Sequence, residues 1–209
     1  KGQIPLPSLR SDHIAVDRDG KLTGKHGATY REVGSMAVLV VGLIVAVLDQ
    51  VTKYAVRMSF TVGESRAVLP GLFDLTYVKN TGAAWGILGG QNSWLILLSV
   101  IMLLALLIFR RSFLTDNWEH RMALGLILGG IVGNLLDRLR LGFVSDFLDF
   151  YWKGHHWPAF NIADAAICVG VGLYILSSFW MSRHPLNGSS LKQAQEDPDK
   201  SGKGFHATP

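Results

Sequence analysis

From Met36 to Val56 the chain reads MAVLVVGLIVAVLDQVTKYAV, and every residue up to Leu48 is apolar or glycine. Coiled as an α-helix this stretch rises about 31 Å, enough to cross the hydrocarbon core of a bilayer. Its charges, Asp49 and Lys53, are spaced i, i+4, share one helix face and can neutralise each other inside an apolar span. A cleaved signal peptide has an apolar run of about 7 to 15 residues, a range that the run to Leu48 fits. The long polar leader before Met36 and the missing small-residue cleavage site favour a permanent span.

Three further apolar stretches follow. Trp94 to Phe109 is closed by Arg110-Arg111, Met122 to Leu136 is closed by Asp137-Arg138, and Ile162 to Met181 is the longest. Of the 209 residues, 49% are hydrophobic and only 17% charged, a membrane-protein composition. The expected fold class is therefore an all-α membrane protein: a four-transmembrane-helix bundle (36–183), preceded by a polar, flexible cytoplasmic extension (1–35) and followed by a polar, disordered tail (184–209). Four crossings put both termini on one side. Lys and Arg number six in residues 1–35, three in 110–121 and four after residue 181, which makes those segments cytoplasmic.

The 57–92 and 138–160 segments then face outward. In the first, Arg66 to Leu69 and Phe73 to Val78 flank Pro70-Gly71, the pattern of a small strand pair that forms a β-cradle on the outer surface. The second is expected as a short outer loop or lid, with Gly142 and Lys153-Gly154 as its flexible points. Cys168 is the single cysteine, which excludes an internal disulfide or a multi-cysteine zinc site; lying in an apolar run, it is expected in the core. The net charge of +4 resides mainly in the tails and one loop rather than on a face interleaved with aromatics, so nucleic acid is not an expected partner.

The chemistry gathers in the second half. The third span reaches the outer boundary near Asn134 and Asp137, the fourth begins there at Asn161 and Asp164, and Asp146 follows on the intervening loop. Intramembrane carboxylates persist mainly where they pair, bind or react. Two that lie close together share a proton, the arrangement of an aspartyl dyad, although paired acids also serve ion pathways or structure. A transporter relay would string its acids through the membrane depth, whereas all but Asp49 cluster at one boundary.

Other singled-out residues have structural readings. Gly125, Gly129, Gly130 and Gly133 lie at helical spacing and read as close-packing surfaces between spans. Asp49 with Lys53 reads as an architectural ion pair, and Arg138 is expected to pair with Asp137. Trp94, Tyr151, Trp152 and Trp157 read as interfacial anchors. The adjacent His155-His156 do not form a metal motif. Asp149 is an extra acid near Asp146.

Asp49-x3-Lys53, Val78 to Gly86 (VKNTGAAWG), Gly130-x2-Gly133-Asn134-x2-Asp137-Arg138, Val144-x-Asp146-Phe147 and Pro158 to Asp164 (PAFNIAD) occur in order across residues 36–181. Together they resemble the lipoprotein signal peptidases, the signal peptidase II family of bacteria. The resemblance implies a multi-pass inner-membrane aspartic endopeptidase whose active site lies near the outer membrane face. It removes signal peptides from diacylglyceryl-modified prolipoproteins by cutting before the lipidated cysteine. It places the catalytic pair on Asp146 and Asp164, favours Asp146 over Asp149, and puts supporting or ligand-binding polar residues at Asp49, Lys53, Asn80, Gly82, Asn134, Asp137, Arg138 and Asn161. It further implies no metal or other cofactor, and prolipoproteins, membrane lipids and globomycin-type inhibitors as partners. Trp85 stands where the family often has Phe, and the leader is longer than the family's minimal form. The alternative, a non-enzymatic proton- or ion-coupled transporter, would use the same acids.

Overall fold

The computed structural model describes residues 15–16, 22–23, 25–82, 89–109 and 117–183. Most of the leader, the tail from residue 184 and the Ala83 to Gly86 part of the VKNTGAAWG motif lie outside the described residues. The elements run β1 (Ala15–Val16), β2 (Leu22–Thr23), α1 (Lys25–Ser59), β3 (Ser65–Leu69), β4 (Phe73–Asn80), α2 (Asn92–Ile108), α3 (Trp118–Leu141), β5 (Val144–Trp152), β6 (His155–His156) and α4 (Ile162–Arg183). The chain divides into two compact units, residues 1–174 and 175–209. In the second, the Arg183 guanidinium lies 4.2 Å over the Phe179 ring. The features below belong to the first.

Among the described residues three helices are long and apolar enough to cross a membrane: Ser35–Ser59 within α1, then α3 and α4. α2 is apolar but has 17 residues. α1 starts at Lys25, inside the stretch expected to be a flexible extension. α3 runs beyond Asp137-Arg138 to Leu141 and stops at Gly142, whose φ of 80° lets its N–H turn back to the Arg138 carbonyl. Gly142 is therefore the terminator of α3. Large apolar side chains point outward, Leu39, Leu43, Val51 and Met58 of α1 among them. That is the pattern of helices solvated by lipid, where apolar side chains have no reason to turn inward. Cys168 shares it: the thiol is exposed on α4, not in the core.

α3 packs closely against two neighbours because glycines let backbones approach. A β-carbon at Gly129 would stand 2.5 Å from the Gly42 carbonyl oxygen of α1, and one at Gly125 would stand 2.8 Å from Val41 Cβ. On another face, a β-carbon at Gly130 would strike the Ala163 carbonyl oxygen of α4, and Gly170 of α4 approaches Ala123. The small-residue spacing read from the sequence is thus a helix-packing device.

The expected strand pair is present, β3 and β4 meeting antiparallel through a turn in which the Leu72 N–H donates to the Leu69 carbonyl. Pro70 followed by Gly71 at φ 83° gives it the signature of a type II turn. The 138–160 segment, expected as a loop, instead extends this sheet to the order β3-β4-β5-β6. Lys153 and Gly154, the other expected flexible points, are the central pair of the β5–β6 hairpin, both at positive φ as in a type I′ turn. Val56 of α1, Tyr77 of β4 and Phe147 of β5 form a buried cluster, joined by Phe60, Leu75, Leu148 and Ile162, that seats the sheet on the helix ends. Phe160 then bonds back to β5, its carbonyl accepting from the Phe147 and Leu148 N–H groups. This bridge brings the start of α4 beside Asp146.

Candidate active site

Asn161 opens α4 and connects the two halves of the site. Its side-chain Oδ1 accepts from the Asp164 N–H at 3.0 Å, while an Asp164 carboxylate oxygen accepts from the Asn161 N–H at 3.3 Å. This is a reciprocal capping box built from Asn and Asp, which satisfies two of the otherwise unpaired N–H groups of the helix start. The remaining Asn161 amide donates to Asp146 Oδ1 at 2.7 Å and to Asn134 Oδ1 at 3.2 Å. One asparagine therefore caps a helix and bonds both acids.

Each acid has a second amide donor. Asn80, at the end of β4, donates to Asp146 Oδ2 at 2.9 Å; Asn134, on the inner face of α3, donates to Asp164 Oδ1 at 2.7 Å. Asp146 is 2% exposed. Burial, and then the neighbouring charge of Asp164, push its carboxyl up to about 7, against the opposing hydrogen bonds from Asn80 and Asn161 and the more distant Lys53 charge. Asp149 stands apart from this network: its carboxylate bonds His156 Nδ1 at 3.0 Å, and on the sheet it lies opposite Asp74.

Beneath the pair lies a buried ionic cluster. Lys53 Nζ is 2.9 Å from Asp49 and 3.6 Å from Asp137, and it donates to Asn134 Oδ1 at 2.8 Å. Asp49 also accepts from the Ala163 N–H at 2.9 Å, and Asp137 accepts from the Ser145 N–H at 3.0 Å. Lys53 and Asp49 are fully buried, so this ammonium fixes which end of the Asn134 amide faces Asp164. The expected Arg138–Asp137 pair does not form. Consecutive helical residues point about 100° apart, so Asp137 faces α1 while Arg138 turns away and donates to the Gly82 carbonyl at 3.1 Å. Gly82 in turn donates its N–H to Asn80 Oδ1 at 2.9 Å.

Three participants escaped the sequence reading. Arg57 lies 3.5 Å from Asp137 and donates to Ser145 Oγ at 3.0 Å, and Gln50 donates to Asp49, Asp137 and the Gly133 carbonyl. Arg57 had a readable signal, because Asp49, Lys53 and Arg57 follow each other at i, i+4, i+8 on one face of α1. The polar pairing of Ser145 had none. Tyr151, expected as an interfacial anchor, ties the sheet together instead: its hydroxyl donates to Asp74 and accepts from the Gly71 N–H. Trp94, Trp152 and Trp157 are exposed.

Gly133 faces the cluster so closely that a β-carbon there would stand 2.5 Å from an Asp49 carboxylate oxygen. Gly133→Ala is expected to cost about 1–3 kcal/mol of stability by overpacking, measured as a lower denaturation midpoint in detergent micelles. An unchanged midpoint would show that Asp49 moves freely out of the way.

Residues 41–180 match the family model described as Signal peptidase (SPase) II. The chain belongs to the signal peptidase II family. The lipoprotein signal peptidase of Shewanella piezotolerans is 44% identical over 155 residues, covering 72% of this chain and 91% of the relative. That of Shewanella loihica is 48% identical over 153 residues, covering 71% and 89%. Among solved structures, a bacterial membrane enzyme determined by the in meso method at 2.3 Å resolution superposes with a TM-score of 0.67 at 33% identity, covering 72% of this chain and 92% of that one. A second, at 1.9 Å, gives 0.61 at 36% identity, covering 67% and 90%. This signal peptidase II is an aspartic-type peptidase and a membrane protein, which displaces the transporter alternative.

Proposed function

We propose that this peptidase removes signal peptides from diacylglyceryl-modified prolipoproteins, cutting before the lipidated cysteine with Asp146 and Asp164 as its catalytic pair. The observation that carries the assignment is Asn161, whose side-chain amide holds Asp146 while its backbone N–H holds Asp164. Below about pH 7 Asp146 holds the proton and Asp164 acts as base. Asp164 takes a proton from water as the water oxygen attacks the scissile carbonyl carbon, and Asp146 protonates the carbonyl oxygen to give a neutral gem-diol. Asp164 then passes its proton to the cysteine nitrogen, a diol hydroxyl returns its proton to Asp146, and the C–N bond breaks. The products are the signal peptide's carboxyl group and a free cysteine amine, and no metal enters the cycle.

Lys53, Asp49 and Asp137 serve as positioning residues, holding Asn134 and the start of β5. Asn80, Gly82 and Arg138 border the pair on the side from which a peptide backbone approaches, and a globomycin-type inhibitor competes there. The reading includes four spans, with α2 as a short second crossing, both termini in the cytoplasm and the pair at the outer face of the inner membrane. Such placement matches the substrate, whose lipid anchor holds the scissile bond at headgroup depth.

The test is cleavage of a diacylglyceryl-modified prolipoprotein by the purified enzyme in detergent, with mass spectrometry of the released peptide. Product ending at any residue other than the one before the lipidated cysteine sinks the assignment. Its pH profile carries a further expectation. With the Asp146 carboxyl at about 7, raising the pH through that value ionises Asp146 and removes the proton donor, so kcat/KM should fall on the alkaline side with an apparent pKa near 7. A rate still rising at pH 9 would contradict the shared-proton mechanism.

A further inference from the structure

A second feature lies deeper in the helices. Leu106 of α2, Leu124 and Ile127 of α3, and Val171 and Tyr174 of α4 line a partly open hollow of about 170 Å³ whose walls are apolar. An apolar cavity of this order accommodates a group of about benzene size. It has room for the end of one hydrocarbon chain and not for a peptide.

Its depth can be measured along three helices independently. At about 1.5 Å per residue, Ile127 and Leu124 lie about 10 to 15 Å along α3 from Asn134. Val171 and Tyr174 lie about 10 to 15 Å along α4 from Asp164. On α2, Asn92 donates to the Arg138 carbonyl and so marks the outer end, and Leu106 lies about 21 Å inward from it. Arg138 itself is about 6 Å outward of Asn134, which leaves Leu106 about 15 Å inward of the acid pair. One leaflet of a bilayer with a 30 Å core is likewise about 15 Å thick, which is the reach of an acyl chain anchored at its surface.

We infer that this hollow receives the distal end of one acyl chain of the substrate's diacylglyceryl group and makes the peptidase sensitive to chain length. The inference rests on the prolipoprotein reading above. Bulk lipid tails are as apolar as the lining, so transfer from bilayer to hollow has no hydrophobic driving force. The advantage of the substrate's chain is its tether. With the scissile bond held at the acids, its far end is confined near the hollow at an effective concentration that free lipid does not match, provided that the chain spans the distance. A chain much shorter than one leaflet does not reach.

The test compares two synthetic prolipoprotein peptides, one carrying dipalmitoyl and one dihexanoyl glyceryl groups, in the same detergent micelles. Wild type is expected to show at least a 5-fold lower KM for the long-chain substrate. Val171→Trp fills the hollow from a position already 43% exposed, and Leu106→Trp fills it from α2. Each should raise KM for the long-chain substrate to that of the short-chain one while leaving short-chain cleavage unchanged, which also certifies the fold. A long-chain preference that survives in a variant with intact short-chain cleavage overturns the inference and assigns the hollow to bulk lipid, as does a wild type that treats both chains alike. Where one variant does not fold, the other decides. Wild type that cleaves neither peptide refutes the prolipoprotein reading itself.

Discussion

Asp146→Asn and Asp164→Asn are each expected to lower kcat for prolipoprotein cleavage by about 10³-fold or more, equivalent to at least about 4 kcal/mol of transition-state stabilisation. Each carboxylate accepts on both oxygens, Asp146 from Asn80 and Asn161 and Asp164 from Asn134 and the Asn161 N–H, so an asparagine keeps one acceptor and turns its NH2 toward the other donor; a circular dichroism spectrum matching wild type separates a chemical loss from an architectural one. On the proposed mechanism the two acids act as one proton-sharing unit, so the double variant should be little worse than either single one. Residual cleavage within tenfold of wild type in either single variant would remove that acid from the catalytic pair. Asp146→Asn also tests the electrostatics. The wild-type carboxyl is held at about 7 when folded, against an ordinary value of 3.8. The folded state then binds more protons than the unfolded one between those values, so wild-type stability falls as pH rises through that window. An uncharged asparagine escapes this loss, so the variant should gain in thermal midpoint over wild type on going from pH 5 to pH 8. A difference independent of pH would mean that the Asp146 charge is not strained.

Lys53→Met is the second large effect. Two acids, Asp49 and Asp137, are balanced by two bases, Lys53 and Arg57, and removing the central ammonium leaves Asp49 buried with no cation in contact. Breaking a buried pair from one side costs about 3–5 kcal/mol, far more than the net contribution of the pair. Asp49→Leu combined with Lys53→Met should recover part of that stability, because Asp137 keeps Arg57 and no uncompensated carboxylate remains. Activity should not recover with it, since Asn134 Oδ1 loses the ammonium that orients its amide toward Asp164. Denaturant midpoints and kcat measured on wild type, Lys53→Met and the double variant separate the two roles. Equal midpoints for Lys53→Met and wild type would show that water or a shifted side chain satisfies the cluster.

What could be read from the sequence depended on how locally each feature is encoded. Asp49 and Lys53 are one helical turn apart, and Asn161-x2-Asp164 spans a single capping turn, so spacing alone brings these groups together. The apolar runs announced helices for the same reason, and Pro70-Gly71 announced the β3–β4 turn. β5 was missed because its pairing depends on β4, more than sixty residues earlier, and strand preference is dominated by such partners. The Asp137–Arg138 pairing failed on direction: neighbours in sequence diverge around a helix. Cys168 failed on solvent, because an apolar segment bordered by lipid has no incentive to bury its side chains.

The polar cluster draws on successive parts of the chain: Asp49 and Lys53 from α1, Asn80 from β4, Asn134 and Asp137 from α3, Asp146 from β5, and Asn161 and Asp164 at the start of α4. A polypeptide emerging from its N-terminus contributes Asp164 only with the last of these elements. With Asp164 in the proposed catalytic pair, hydrolytic capacity arrives at the end of biogenesis. A chain that stops before α4 lacks that pair and has no means of cutting neighbouring proteins.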